Sequence, residues 1–240
     1  MRRFFVEKVE SVTLLSGEEF EHAKNVLRIS VGEEVILLDN SGKEYTAVVS
    51  QVEKKQMLLT LVREEVGKRE ADTCVCLYFG YLKNADKNEF IVQKAVELGV
   101  KEIGVFSSQY SSSYMNENKL ERLNKVAREA TKQCLRSVAP KVVYYKNLEE
   151  ALLAGQKQNN KLFACEFATE SETNLASLKG SCAIVIGSEG GFSQEEADRA
   201  TALGYKKLTL GRRILRAETA AVTLTSIVMF SLGELNKGSV

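Results

Sequence analysis

Two regimes of hydrophobic patterning divide the chain. Over residues 1–70 the apolar positions come in short runs, "EEVILLD" (33–39), "EYTAVVSQV" (44–52) and "QMLLTLV" (56–62), separated by turn-like "NSGK" and charged "EKK". Runs of this length and spacing predict the strands of a small all-β barrel or sandwich. One stretch interrupts them: in "SGEEFEHAKNVLR" the side chains of Phe20, Ala23 and Leu27 share a helical face, with Ser16 or Gly17 as cap. The charged "REEVGKREAD" (63–72) reads as a linker.

From Thr73 onward apolar strands alternate with amphipathic helices, which predicts an α/β domain built on a largely parallel sheet covered on both faces. "CVCLYFG" is the first strand; Asp86 and Glu89 then form a D-x-x-E capping box, Phe90, Ile91, Ala95 and Leu98 fall at helical spacing, and Gly99 supplies the stop. "EIGVF" follows, then a long helix over about 117–137 that ends near Pro140, the only proline. Strands "KVVYY", "KLFACE" and "CAIVIG" come next with helices between them, followed by a helix over 193–203, the strand "KKLTLG" and a helix over 217–236. The expected domains are therefore residues 1–70 and 73–240.

Composition narrows the picture. At 240 residues, 44% hydrophobic and 27% charged, the chain is that of a folded protein with one large or two ordinary domains. The apolar stretch 222–232 is interrupted by Thr223, Thr225, Ser226 and Ser231 and falls short of the ~20 residues of a membrane span, so a buried helix and no membrane association are expected. The start, "MRRFFVEKVE", places acidic residues where a signal peptide needs its apolar core, so no export signal is expected. Five cysteines without a C-x-x-C pair, mostly inside apolar runs, read as reduced thiols of a cytoplasmic protein and not as a zinc site. With His22 the single histidine, a His-rich metal site is excluded and a Ser-His-Asp triad would have to use that residue. The net charge of +1 announces no nucleic-acid binder, but residues 119–146 hold eight basic and two acidic side chains, a candidate phosphate-facing surface.

The candidate chemistry lies in two loops. "AIVIGSEGGFSQEE" (183–196) runs from a strand through three glycines to an S-x-x-E capping box at Ser193 and Glu196, which puts a glycine loop at the carboxyl end of a strand, where ligands bind in open α/β sheets. It lacks both the G-x-G-x-x-G spacing and the Lys-Ser/Thr of a phosphate loop. Glu189 would repel phosphate but suits a cationic or hydroxyl-rich ligand such as a sulfonium-bearing nucleoside. "KLTLGRRILRAETAAVTL" (207–224) likewise passes from a strand through Gly211 into a helix, with Arg212, Arg213 and Arg216 in the loop. Arginine at a helix N-terminus is disfavoured by the dipole, which points to a negatively charged partner.

With these loops in place the chain resembles the RsmE family, the small-subunit ribosomal RNA uridine-N3 methyltransferases of the SPOUT superfamily. The resemblance spans essentially the whole length and rests on "HAKNVLR", "DKNEFIVQKAVELGV", "QCLRSVAP", "IGSEGGFSQEE" and "LGRRILRAETA" in family order. It implies an N-terminal PUA-like or OB-like β-barrel for RNA and a C-terminal SPOUT domain threaded into a deep trefoil knot. It also implies S-adenosylmethionine as cofactor, a homodimer, and 16S rRNA as substrate, either as structured RNA or within the assembled small subunit. The family positions for the cofactor correspond to Glu166, Ile186, Gly187, Glu189, Gly190, Gly191, Leu210, Gly211, Ile214 and Leu215. Two departures are visible: Ser188 stands where the family usually has proline, and Leu135 where it often has glycine.

On that resemblance Arg216 is expected to face the target base and stabilise the deprotonated uracil, while Glu218 or Glu189 orients a group or takes the proton. Arg2, Arg3, Arg28, Lys83, Lys87, Lys94 and Arg136 are the candidate phosphate contacts. Two other readings stay open: methylation of a different RNA atom, and a non-catalytic RNA-binding or subunit-assembly factor.

Overall fold

The computed structural model describes residues 1–110, 114–166, 168 and 171–236. They form two compact units, the first made of residues 1–70 together with 131–139, the second of 71–130 and 140 onward. The first unit is therefore not contiguous in sequence, which the pattern of residues 1–70 alone does not reveal.

In the first unit the strands are β1 (Arg2–Phe5), β2 (Val12–Ser16), β3 (Glu34–Leu38), β4 (Lys43–Val52) and β5 (Gln56–Val66). They form one sheet in the order β1-β3-β4-β5-β2, with β1 parallel to β3 and the other pairs antiparallel. No ladder joins β1 to β2, so the expected closed barrel is a half-barrel. β1 and β2 lie outside the expected runs: the first is four residues with two arginines, and in the second Val12 and Leu14 point outward at 44% and 55% exposure, which spoils the alternation. The expected linker also begins too early, because β5 continues to Val66 by pairing Arg63–Val66 with β4 while its charges face solvent.

The expected helix is α1 (Gly17–Glu21) followed by a π-helical turn (His22–Val26), and Gly17 enters it at φ 62° while Ser16 makes no side-chain cap. Phe20 and Ala23 are buried as the periodicity requires, within a core that includes Phe4, Leu15, Val35, Leu37, Met57 and Leu59. Segment 131–139 is tied into this unit by Glu70, whose carboxylate accepts from Arg136 Nη2 at 2.7 Å and from the amides of Ser137 and Val138 at 2.9 and 3.0 Å. Asn40 Oδ1 accepts the Ala139 amide at 2.9 Å.

The second unit runs β6 (Val75–Gly80), α2 (Ala85–Glu97), β7 (Glu102–Phe106), α3 (Glu117–Gln133), β8 (Val142–Tyr145), α4 (Leu148–Ala154), β9 (Asn160–Ala164), β10 (Cys182–Ile186), α5 (Gln194–Ala202), β11 (Lys206–Leu208) and α6 (Ala217–Ser231), the last turn of α3 counting with the first unit. All pairs in the sheet β11-β9-β10-β6-β7-β8 are parallel, as the alternating pattern predicts. The chain moves outward from β6 to β8, returns to β9 and then inserts β10 beside β6. Neighbouring loops therefore diverge between β10 and β6, the kind of place where an open α/β sheet leaves a crevice at its carboxyl edge.

Local signals hold with shifts. Gly99 ends α2 at φ 92°, but the cap is Asn84, whose side chain accepts the Asp86 amide at 2.8 Å, and no D-x-x-E box forms. The buried face is Ile91, Val92, Ala95 and Val96, leaving Phe90 at 43% exposure. α3 stops at Gln133 because Leu135 takes φ 64°, and α6 ends at Ser231, ahead of the expected 236.

Candidate active site

Three loops at the carboxyl edge of the second unit's sheet, after β9, β10 and β11, enclose a cleft of about 830 Å³ with α2 and the start of α6. That size suits a nucleoside-sized ligand. The glycine loop after β10 is held at both ends by contacts within the second unit. The Ser193 hydroxyl accepts from the Glu196 amide at 3.1 Å and the Glu196 carboxylate accepts from the Ser193 amide at 2.9 Å, so the predicted capping box fixes where the loop ends. Phe192 is buried against Phe163, ring centroids 4.2 Å apart, and anchors the same end.

Within the loop, the Gly191 amide donates to the Ser188 carbonyl at 3.0 Å, closing a tight turn with Gly191 at φ 66°. A Cβ on Gly191 would strike the Glu166 carboxylate, and one on Gly187 would press to 3.2 Å on the Gly191 backbone. Ser188 is buried, and its hydroxyl lies 3.1 Å from that of Ser108 after β7. A hydrogen bond thus holds the position where a proline ring would restrict the backbone. Gly80, the last residue of β6, completes the support: its absent Cβ would sit 2.6 Å from the Ser188 amide nitrogen.

The opposite wall is the loop 209–216. Gly211 has φ 103° and open space where a Cβ would project, so a ligand can approach its backbone closely. Arg212, Arg213 and Arg216 are exposed, and Ile214 is 97% exposed. Arg216 is the N-cap of α6 and supplies no side-chain cap. Glu218, in the first turn of α6, pairs with Lys87 of α2 at 3.0 Å. Burial alone would raise the Glu218 pKa, but hydrogen bonds from its own amide and from Lys87, with the charges of Lys87 and Arg216, outweigh it and hold the carboxyl below its ordinary value. Its second oxygen, Oε2, is buried without a hydrogen-bond partner among the described residues.

All ten positions expected to hold the cofactor line this one cleft, together with Arg216, Glu218 and Lys87. Lys87, a candidate phosphate contact, lines the cleft and pairs with Glu218. Two other expected phosphate contacts are corrected. Arg136 has a side chain 3% exposed and paired with Glu70, and Arg3 is 7% exposed and paired with Glu44 at 2.7 Å; both charges are spent inside the first unit. Lys94 pairs with Glu97 at 2.8 Å, whereas Arg2, Arg28 and Lys83 are exposed. Glu189 accepts the Lys83 amide at 3.1 Å. Sequence reasoning missed Gly80 and Ser108, whose roles depend on contacts made 108 and 80 positions away along the chain.

Residues 69–229 match the family described as RNA methyltransferase domain, and residues 15–62 the RNA methyltransferase PUA domain. The chain is 33% identical to ribosomal RNA small subunit methyltransferase E of Mesomycoplasma hyopneumoniae (strain 232), over 93% of this chain and 97% of that one. To the protein of the same name from Bacillus subtilis (strain 168) it is 29% identical, over 99% of each chain. A crystal structure of ribosomal RNA small subunit methyltransferase E from Neisseria gonorrhoeae bound to S-adenosyl methionine superposes with a TM-score of 0.86 at 27% identity, covering 97% of this chain and 98% of that one.

Proposed function

Since the chain belongs to the ribosomal RNA small subunit methyltransferase E family, we propose that it transfers a methyl group from S-adenosylmethionine to N3 of a uridine in 16S ribosomal RNA. The observation that carries this reading is the cleft, where residues from three separate loops and two helices converge as a methyl-donor site requires. The residues fit the cofactor. The Gly211 backbone leaves room for close approach, glycines 187, 190 and 191 let the opposing loop fold tightly on its neighbours, Ile186, Leu210 and Leu215 offer apolar walls, and Glu166 and Glu189 suit a sulfonium or ribose hydroxyls. When bound, S-adenosylmethionine supplies a methyl group on a positively charged sulfur that leaves as a neutral thioether.

The chain's own residues do the rest. Arg216, exposed at the cleft rim, holds the uracil oxygens as the N3 proton passes to Glu189, the other expected acceptor on the cleft wall, and negative charge spreads over the ring. Glu218 stays ionised beside Lys87, and a carboxylate of depressed pKa is a weak proton acceptor, so its part is to orient Lys87 and the α6 N-terminus. Arg2, Arg28 and Lys83 contact RNA phosphates. The first unit acts as the PUA-like RNA-binding domain, the chain threads a trefoil knot through the glycine loop, and two copies pair along the apolar face of α6. The substrate is the assembled small subunit in the cytoplasm.

Incubating the protein with labelled S-adenosylmethionine and small ribosomal subunits, then identifying the labelled nucleoside, tests this directly. N3-methyluridine is the expected product. A different methylated nucleoside would transfer the reading to another RNA atom, and absence of both label and cofactor binding would leave an assembly factor.

A further inference from the structure

The segment following β7 runs along the outside of the glycine loop. Ser108 shares a hydrogen bond with Ser188, and the Gln109 amide donates to Glu196 Oε1 at 3.1 Å, a carboxylate already fixed by the Ser193 capping box. Tyr110 then lies directly on Gly190, where an added Cβ would come within 2.5 Å of the Tyr110 Cβ. The residue is thereby pinned at its base, yet it is 51% exposed and its hydroxyl makes no hydrogen bond among the described residues. An aromatic side chain held at one end and uncovered over half its surface loses little further freedom when a flat partner lies on it, and any base presents such a face.

We propose that Tyr110 is a stacking platform for an RNA base, resting on the methyltransferase reading above. Tyr110 does not line the cleft, although Gly190 and Ser188 do. The base it takes is therefore a neighbour of the methylated uridine, not the uridine itself, which has to leave the stack to reach the cleft. Stacking a flanking base on a residue seated on the glycine loop places the target strand in register with the methyl-donor site. The platform is a substrate-positioning element, and it acts on RNA binding without touching the cofactor.

The test compares wild type with Tyr110→Ala and Tyr110→Phe, using small ribosomal subunits and labelled S-adenosylmethionine, with cofactor affinity measured separately by calorimetry. For Tyr110→Ala the KM for the RNA substrate is expected to rise about 10-fold or more, as loss of one stacked base implies, with cofactor affinity unchanged. Tyr110→Phe keeps the ring and is expected to stay within about 3-fold of wild type. An unaltered KM in Tyr110→Ala overturns the platform, and so does equal damage in Tyr110→Phe, which would assign the effect to the hydroxyl. Loss of cofactor affinity, or a changed oligomeric state in Tyr110→Ala, also overturns it, by making the residue a prop of the loop or a contact between copies. If wild type itself methylates no RNA, the methyltransferase reading fails first, a result distinguishable from all of these.

Discussion

Arg136 and Glu70 make a pair whose buried side is costly to strip. Burial by itself would raise the Glu70 pKa, but the Arg136 hydrogen bonds and charge, with the amides of Val138 and Ser137, hold it below its ordinary 4.5. A carboxyl with a depressed folded value contributes stability that is complete above the unfolded value and is lost as pH falls through the folded one. Glu70→Gln should therefore cost about 3 kcal/mol in urea unfolding at pH 7, since it removes the carboxylate charge that faces the 3%-exposed Arg136 guanidinium. The deficit should shrink as the pH falls below 4.5 and on through the lower folded value, where wild type loses the same interaction. Leu135 is the opposite case, a side chain at φ 64° where glycine bears no penalty. Leu135→Gly should raise stability by about 0.5–1 kcal/mol, read as an upward shift of the melting midpoint; a fall would mean that the leucine side chain is held by packing. At the cleft, Arg216→Ala should lower turnover at least ~100-fold with cofactor affinity nearly intact, and loss of binding in calorimetry would instead make Arg216 part of the cofactor site.

Among the elements, the glycine loop depends on β6 as much as on its own sequence. Gly80→Ala drives a methyl group onto the Ser188 amide nitrogen, a backbone atom that cannot swing aside. The expected result is a cofactor affinity weakened at least ~10-fold in a protein that still unfolds cooperatively; undiminished affinity would show that the loop can shift without consequence. Such dependence explains what was readable in advance. The Ser193–Glu196 box, the strand ends at Ile186 and Leu208 and the stop at Gly99 are written in adjacent residues, and each was found near its expected place. β1, β2 and the true cap at Asn84 were not, because a four-residue strand and a two-faced one carry no period, and Asn84 competes with a nearby acidic pair. The cleft lining was legible through family motifs. The burial of Arg3 and Arg136 was not, since nothing in "MRRFF" or "CLRSV" states that Glu44 and Glu70 lie opposite.

For the whole molecule, the division into units cuts across the chain order. Residues 1–70 provide Asn40, Glu44 and Glu70, and their partners Ala139, Ser137 and Arg136 arrive from beyond α2, β7 and most of α3. A fragment ending at residue 70 should therefore fail to fold cooperatively, with collapsed amide dispersion in NMR; a well-dispersed spectrum would show that the sheet stands alone. The same arrangement sets a clock on synthesis. At roughly 5–20 residues per second, about 3–14 s separate the emergence of Glu70 from that of Ala139. Through that interval Glu70 waits for Arg136 and for the amides of Ser137 and Val138, and Asn40 waits for the amide of Ala139, so none of the bonds that tie segment 131–139 into the unit can form. The newborn chain thus carries an incompletely tied first unit for seconds, a window for association with its neighbours on a polysome that a domain complete by residue 70 would escape.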